Sequence, residues 1–363
     1  MKPEDYGLDL HCTMMLEEYR EEVPMFNRLK NLVLEKLKEC LHKNNLIVSG
    51  VEGRVKQEDS LAGKLELKGH KYKALTDITD LVGARVITFY IEEVDKIAAL
   101  VDSIFEVDWE NSVDKRKLLG KDTFGYMSLH YVCRIPKEMY SDPEYPSLNK
   151  FRFEIQIRTA LQHVWANMNH DTGYKSGVEV PMEYIRSLTR LAGLLELADD
   201  EFSRIRKDLT EYRRKVAKLV TDGNFDAVSL DGDSLRNYLA LDPFGSLNSK
   251  IAAINQAEIQ TLSGMPYLRP MRNLGLRTLG DVERMRKDCW VKAYQLAVHQ
   301  ISGTDLDIIA STLGLQNVCL VYAAERGGVK EVERFLDGLN GPSKYNAESA
   351  ERIVSRLNRI HDM

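Results

Sequence analysis

The stretch Phe151-Arg152-Phe153-Glu154-Ile155-Gln156-Ile157-Arg158-Thr159 alternates apolar and polar side chains from Phe151 to Arg158. Successive residues of a β-strand point to opposite faces. Phe151, Phe153, Ile155 and Ile157 therefore fall on one side, and Arg152, Glu154, Gln156 and Arg158 on the other. One face packs on a core, and the other presents charge to a cleft or to solvent. Upstream, Ser128 to Ile135 (SLHYVCRI) and Ala84 to Tyr90 (ARVITFY) read as two more strands, the second followed by a helix at about 93–105. Leu46 to Lys56 reads as a fourth strand, and Ser60 is placed as the cap of a short helix running to about Lys68. Residues 13–45 carry Leu29, Leu32, Leu34, Leu37 and Leu41 as a helical apolar stripe, which Pro24 is expected to split or start. Downstream the pattern turns helical over 160–170 and 182–220, with a break expected near Asp199.

A chain of 363 residues is longer than a single core usually supports, which is about 250–300 residues. The Gly/Asp-rich stretch Thr221 to Asp233 is the natural linker, giving a mixed α+β domain over 1–222 and an all-helical region over 235–363. The helical region is read with helices at Val282 to Ile301, at Asp305 to Leu313 and after the turn at Gly341-Pro342. Tyr267 to Met285 has a helix-hairpin-helix flavour, with Gly275 and Gly280 as turn points, and Asp305 to Val318 resembles half of a helix-turn-helix without a basic recognition face. At 44% hydrophobic residues and a net charge of −5, the composition excludes extensive disorder and a broad footprint for duplex nucleic acid. Five scattered cysteines with no CxxC pair read as reduced thiols. The acidic N-terminus has no signal-peptide character and no run is long and apolar enough for a membrane helix, so a cytosolic protein is expected.

Four groups of residues could carry chemistry. Arg54, Lys56, Ser60, Lys64 and Lys68 lie on a strand and the helix after it, where cations, a hydroxyl and helix N–H groups suit a polyphosphate; a solvated basic surface would look the same. Asp80 and Arg85 stand at the entry to a strand in DLVGARVI, where an acidic side chain is either a turn residue or a metal ligand. Magnesium sites in nucleotide enzymes use one or two carboxylates beside phosphate oxygens, and Glu154 supplies the second. Gly125, Tyr126, Ser128 and His130, in GYMSLHYV, offer a ring, a hydroxyl and an imidazole that could stack on a base and hold a ribose or phosphate, or could simply pack.

In their order, RVKQEDSLAGK, DLVGARVI, GYMSLHYV, FEIQIRT and WANMNHDTGYK, these segments resemble the synthetase domain of the RelA/SpoT family, especially its small alarmone synthetases, over about residues 45–215. The resemblance implies a mixed five-stranded sheet flanked by helices, related to the nucleotidyltransferase fold. It implies a (p)ppGpp synthetase that moves pyrophosphate from ATP to the 3′-hydroxyl of GDP or GTP and releases AMP. Carried over by position, Arg54 and Arg85 would sandwich the adenine of ATP, and Lys56, Ser60 and Lys64 would hold its triphosphate. Asp80 and Glu154 would bind Mg²⁺, Glu154 also acting as base toward the acceptor hydroxyl. Tyr126 would stack on the acceptor base, with Lys121, His130 and Gln156 contacting the acceptor nucleotide. Trp165, His170 and Tyr174-Lys175 fall on the following helix, where packing is the expected role.

The segment before Gly125 departs from the family. Where many relatives have Pro-Lys-x-Asn, this chain has Lys121-Asp122-Thr123-Phe124, so acceptor identity is open between a guanine nucleotide, an adenine nucleotide and the 3′ end of tRNA. The His-Asp pairs His170-Asp171 and His361-Asp362 lack the context of the family's hydrolase motif, and no hydrolase activity is expected. Some relatives assemble as homo-oligomers; residues 235–363 could regulate the domain, mediate assembly or dock a protein or tRNA partner.

Overall fold

Helix α1 (Leu10–Lys43) runs through Pro24 without interruption, against the expected split. Proline removes one backbone hydrogen bond, but Met15, Leu16, Tyr19, Met25, Phe26 and Leu29 on both sides of it are buried in one core, and that packing outweighs the loss. The computed structural model describes residues 6–118, 128–136, 148–173 and 182–361. Their contacts divide the chain into two units, Met1–Arg206 and Lys207–Met363, each with its own apolar core.

The first unit is built on a mixed sheet. Its strands are β1 (Val48–Val55), β2 (Val82–Thr88), β3 (Glu106–Val107), β4 (Val113–Asp114), β5 (Leu129–Arg134) and β6 (Phe153–Thr159). The order is β1-β2-β6-β5-β3, with β4 also on β5; β2 and β6 run parallel and the other pairings are antiparallel. The sheet thus has the five strands of its main path and a sixth, two-residue strand too short to announce itself in sequence. The alternation expected for β6 is observed up to Ile157: Phe153, Ile155 and Ile157 are fully buried and Glu154 and Gln156 partly exposed, but Arg158, expected on the same polar face, is buried.

Register lines up side chains across the strands. Val51, Val86, Ile157 and Leu129 share the apolar face on which α1 and α3 (Ile91–Ile104) pack. Close approach of α1 to β1 needs Gly53, since a Cβ there would stand 2.8 Å from Leu34 Cδ1. On the other face Glu52, Arg85, Gln156 and His130 form one transverse row, and Arg54, Gly83, Glu154 and Val132 the next.

Helix α2 (Glu58–Lys68) begins earlier than expected. Gln57, in extended conformation, is its N-cap, and the Leu61 N–H donates to the Gln57 carbonyl at 3.0 Å, so Ser60 lies inside the first turn and is not the cap. The single turn α4 (Lys115–Leu118) follows β4, and α5 (Ala160–Gly173) follows β6 directly. Helix α6 (Met182–Thr221) passes Asp199 unbroken. Asp199 is instead buried, where it accepts a hydrogen bond from the Thr159 hydroxyl at 2.6 Å.

The second unit is mostly helical: α7 (Gly232–Leu239), α8 (Gly245–Ala252), α9 (Leu268–Asn273), α10 (Leu279–Ile301), α11 (Leu313–Asn340) and α12 (Lys344–His361). It is not all-helical. Strands β7 (Glu258–Gln260) and β8 (Ile308–Ala310) pair in parallel, so the stretch Asp305 to Leu313, expected as a helix, is a three-residue strand between non-helical residues, with the helix starting only at Leu313. That pairing joins segments about fifty residues apart, information that local periodicity does not hold. Thr221 to Asp233 is packed and not a free linker: Val228 and Leu230 are buried, and the Leu230 N–H donates to the Arg277 carbonyl at 2.7 Å. The hairpin read at 267–285 is present as α9, a turn at Gly275 (φ 89°) and α10 capped by Thr278 with Asp281, but Gly280, expected as a second turn point, lies buried in the first turn of α10. Among the described residues no helix is long and apolar enough to cross a membrane.

Candidate active site

The polar face of the sheet forms the floor of a cleft lined by Glu52, Gly53, Arg54, Asp80, Gly83, Arg85, Glu154 and Gln156. A second hollow of about 450 Å³ shares Arg54 and Asp80 with it and continues over Lys56, Gln57, Ser60, Lys64 and Lys68. Each shared side chain has a local reason for its place. Arg54 alternates with Glu52 on β1, and Asp80 sits where the chain enters β2, pinned by the Lys56 N–H donating to the Leu81 carbonyl at 2.8 Å.

Asp80 is clasped by two ammonium groups, Lys56 Nζ at 2.9 Å and Lys64 Nζ at 2.7 Å. Burial works to raise its pKa, but the two lysines outweigh burial and hold the carboxyl below its ordinary value. Lys64 also lies over the Tyr72 ring, 5.5 Å from its centroid. With Arg54 and Lys68, the hollow offers four cations, the Ser60 hydroxyl and the first turn of α2, whose N-cap makes no side-chain capping bond. Such a concentration suits a polyphosphate chain.

Glu154 is held differently. Its Oε1 is 2.7 Å from His130 Nδ1, and its Oε2 accepts from Gln156 Nε2 at 2.8 Å. Burial again pushes upward; the His130 and Gln156 hydrogen bonds prevail, leaving the carboxyl below its usual range, with the charge of Asp80 opposing them. Both carboxylates line the same cleft. The Gln156 carbonyl oxygen in turn accepts from Arg85 Nε at 3.3 Å and Arg158 Nη2 at 2.7 Å. A continuous hydrogen-bonded row therefore runs from His130 through Glu154 and Gln156 to Arg85.

Sequence reading placed Arg54, Lys56, Ser60, Lys64, Asp80, Arg85, Glu154 and Gln156 at one site, and the structure brings all eight to these two adjoining hollows. His130 is linked to them through Glu154, its Nδ1 lying 2.7 Å from Glu154 Oε1 and its Nε2 2.6 Å from Ser128 Oγ. Ser128, read as a candidate ribose or phosphate ligand, is fully buried and supports His130. Lys121, Gly125 and Tyr126 on the acceptor side, and Tyr174-Lys175, lie outside the described residues. Trp165 donates from Nε1 to the Leu188 carbonyl at 3.4 Å, a packing role. Sequence reading missed Glu52, although the alternation that pairs Arg54 with Lys56 also puts Glu52 on their face.

Among the described residues no three His, Cys, Asp or Glu side chains come together as a metal cage. The donor set of the cleft, two carboxylates beside a hollow lined with lysines, fits the other kind of site, in which a hard cation is shared between the protein and a nucleotide.

Comparison with known proteins agrees with this geometry. Residues 53–179 match the family model described as a region found in RelA / SpoT proteins, and this part of the chain is a RelA/SpoT-type domain. The chain is 25% identical over 222 residues to the GTP pyrophosphokinase YwaC of Bacillus subtilis, covering 56% of this chain and 100% of that protein. It is 28% identical over 162 residues to the GTP pyrophosphokinase YjbM of the same organism, covering 44% of this chain and 73% of YjbM. Among solved structures, the small alarmone synthetase 1 from Bacillus subtilis aligns at 21% identity and a TM-score of 0.46, covering 54% of this chain and 99% of that one.

Proposed function

We propose that this protein is a (p)ppGpp synthetase, which transfers pyrophosphate from ATP to the 3′-hydroxyl of GDP or GTP, releases AMP, and acts in the cytosol without hydrolase activity. The RelA/SpoT-type domain and the pyrophosphokinase relatives support the enzyme class. The observation that carries the reading is the cleft itself: Asp80 and Glu154 face one space, walled by Arg54 and Arg85 and opening onto the lysine hollow.

In this reading the adenine lies between the Arg54 and Arg85 guanidiniums, whose planar cations stack well on a ring. Its triphosphate runs over Lys56, Ser60, Lys64 and Lys68. Phosphate oxygens compete with Asp80 for Lys56 and Lys64, freeing its lone pairs. Asp80 and Glu154 would then hold Mg²⁺, which supplies neutralisation of phosphate charge when bound. The acceptor 3′-oxygen attacks the β-phosphorus, the bond from that phosphorus to the oxygen bridging to the α-phosphorus breaks, and AMP departs with that oxygen. The hydroxyl proton passes to Glu154, which His130 and Gln156 keep ionised and oriented. Little covalent work falls to the protein in such transfers; positioning and charge neutralisation supply most of the acceleration.

The test is incubation with ATP labelled at the γ-phosphate and GDP, GTP, AMP, ATP or tRNA as acceptor. Label on a guanine nucleotide, with equimolar AMP, is the expected result. Label on tRNA or on an adenine nucleotide would instead fit the departure at Lys121-Asp122-Thr123-Phe124 and make the protein a toxin-like pyrophosphokinase, with residues 235–363 as its regulatory surface. No transfer to any acceptor would overturn the assignment.

A further inference from the structure

Glu52 is an acid placed where the proposed chemistry calls for cations. Strand register sets it directly beside Arg85 and two residues from Arg54, on the polar face and in the wall of the same cleft. Its side chain is 54% exposed, and the nearest cation, Arg85 Nη1, stands 3.9 Å away, beyond hydrogen-bond reach. Arg85 spends its Nε on Gln156. Among the described residues no hydrogen bond reaches the Glu52 carboxylate. A carboxylate near a site for a triphosphate repels the ligand unless the ligand brings it a shared cation or N–H donors, and Glu52 lies on the arginine side of the cleft, away from the lysine hollow.

Building on the reading that Arg54 and Arg85 enclose the base of the donor nucleotide, we propose that Glu52 reads that base, accepting a hydrogen bond from the exocyclic 6-amino group of adenine. An ionised carboxylate is an acceptor only, with no N–H or O–H to offer. It therefore favours a purine carrying a 6-amino donor, and it sets its lone pairs against the carbonyl oxygen of a 6-oxo purine. The guanidiniums on either side stack on any purine and do not discriminate; the edge of the ring is read by the group in its plane. Recognition through a required hydrogen bond discriminates far more sharply than shape alone, because the wrong ligand leaves a polar group opposed or unpaired. Glu52 is partly open to water, so the expected preference is about tenfold to a hundredfold, below the limit for a sealed site.

A competing role is structural: Glu52 could serve only as a counter-charge that orients Arg85. The two roles separate in one experiment. Dissociation constants for ATP, ITP and purine riboside triphosphate are measured by displacement of a fluorescent ATP analogue from the full-length protein, as wild type, Glu52→Gln and Glu52→Ala, with kcat/KM for the same donors in parallel. Wild type is expected to bind ATP at least tenfold better than ITP. Glu52→Gln, whose amide can turn an N–H toward a 6-oxo group, should bring ITP to within about threefold of ATP, and Glu52→Ala should level ATP with purine riboside triphosphate. If both variants weaken all three nucleotides by one common factor, or leave the wild-type ratios in place, Glu52 does not read the base and the inference falls. Glu52-dependent preference in binding without any transfer would uphold this inference and overturn the proposed reaction instead; the exposed position of Glu52 makes loss of folding in either variant easy to check and to separate.

Discussion

Asp80 and Glu154 in the cleft, and Asp199 midway along helix α6, are all partly or wholly withdrawn from water, yet their carboxyl pKa values move in opposite directions. In the cleft each carboxylate has strong partners, two ammoniums for Asp80 and an imidazole and an amide for Glu154, and both carboxyls lie below their ordinary range. Among the described residues Asp199 has only the Thr159 hydroxyl and its Oδ1 has no hydrogen-bond partner; burial, helped by Asp200, pushes its pKa up to about 6. Partners, not depth alone, decide which way the pKa of a buried acid finally moves. In the cleft, cations and hydrogen-bond donors outweigh burial; at Asp199 burial prevails.

The largest effect expected from breaking this contrast is in catalysis. Asp80→Ala and Glu154→Ala should each reduce pyrophosphate transfer by about 10³-fold or more while circular dichroism and melting temperature stay close to wild type, since both side chains face the cleft. Near-normal turnover in either variant would remove that residue from the chemistry.

The next effect is on stability, and its sign follows from linkage. Asp199 titrates higher in the folded protein than in the unfolded chain, so the folded state binds more protons between about pH 4 and 6 and loses stability as pH rises through that window. Asp199→Asn keeps the acceptor for Thr159 and removes the charge. Relative to wild type it should be more stable at pH 8 than at pH 4.5 by about 2 kcal/mol, read by urea unfolding at the two pH values. Equal differences at both would show that Asp199 has an ordinary pKa.

Tyr126→Ala addresses the acceptor side. If its ring stacks on the acceptor base, affinity for GDP or GTP should fall by about 1–3 kcal/mol with ATP affinity unchanged. Parallel weakening of both nucleotides would contradict that role.

The smallest effect sharpens the comparison within the cleft. His130 holds Glu154 ionised, so His130→Ala should let burial raise the Glu154 pKa. A base must be deprotonated to act; the acidic limb of the rate profile should therefore move to higher pH, with turnover at neutral pH about tenfold lower. Ser128→Ala should do the same more weakly, through the freedom it gives His130. A slower variant with an unmoved limb would make His130 a packing residue only.

Much of this site was legible before the fold was known, because period-two alternation fixes which face a strand residue occupies. FRFEIQIRT alone put Glu154 and Gln156 on the polar side, and DLVGARVI put Asp80 at a strand entry. What escaped depended on distant packing. Pro24 is tolerated because residues on both sides of it are anchored in one core, β8 exists because β7 pairs with it, and Val228 and Leu230 are buried in a segment whose composition reads as a linker. His130 was seen as a ligand for the acceptor because sequence cannot show that Ser128 and Glu154 already occupy its two nitrogens.

The central claim is that Asp80 and Glu154 serve one reaction centre. A double-mutant cycle tests it directly, with single-turnover transfer rates measured for Asp80→Asn, Glu154→Gln and the combined variant under saturating nucleotides. Residues acting as a unit lose their effect together. The double variant is expected to be no slower, within about threefold, than the slower of the two singles. Rate losses that multiply in full would mean that the two carboxylates act independently, and would contradict the account.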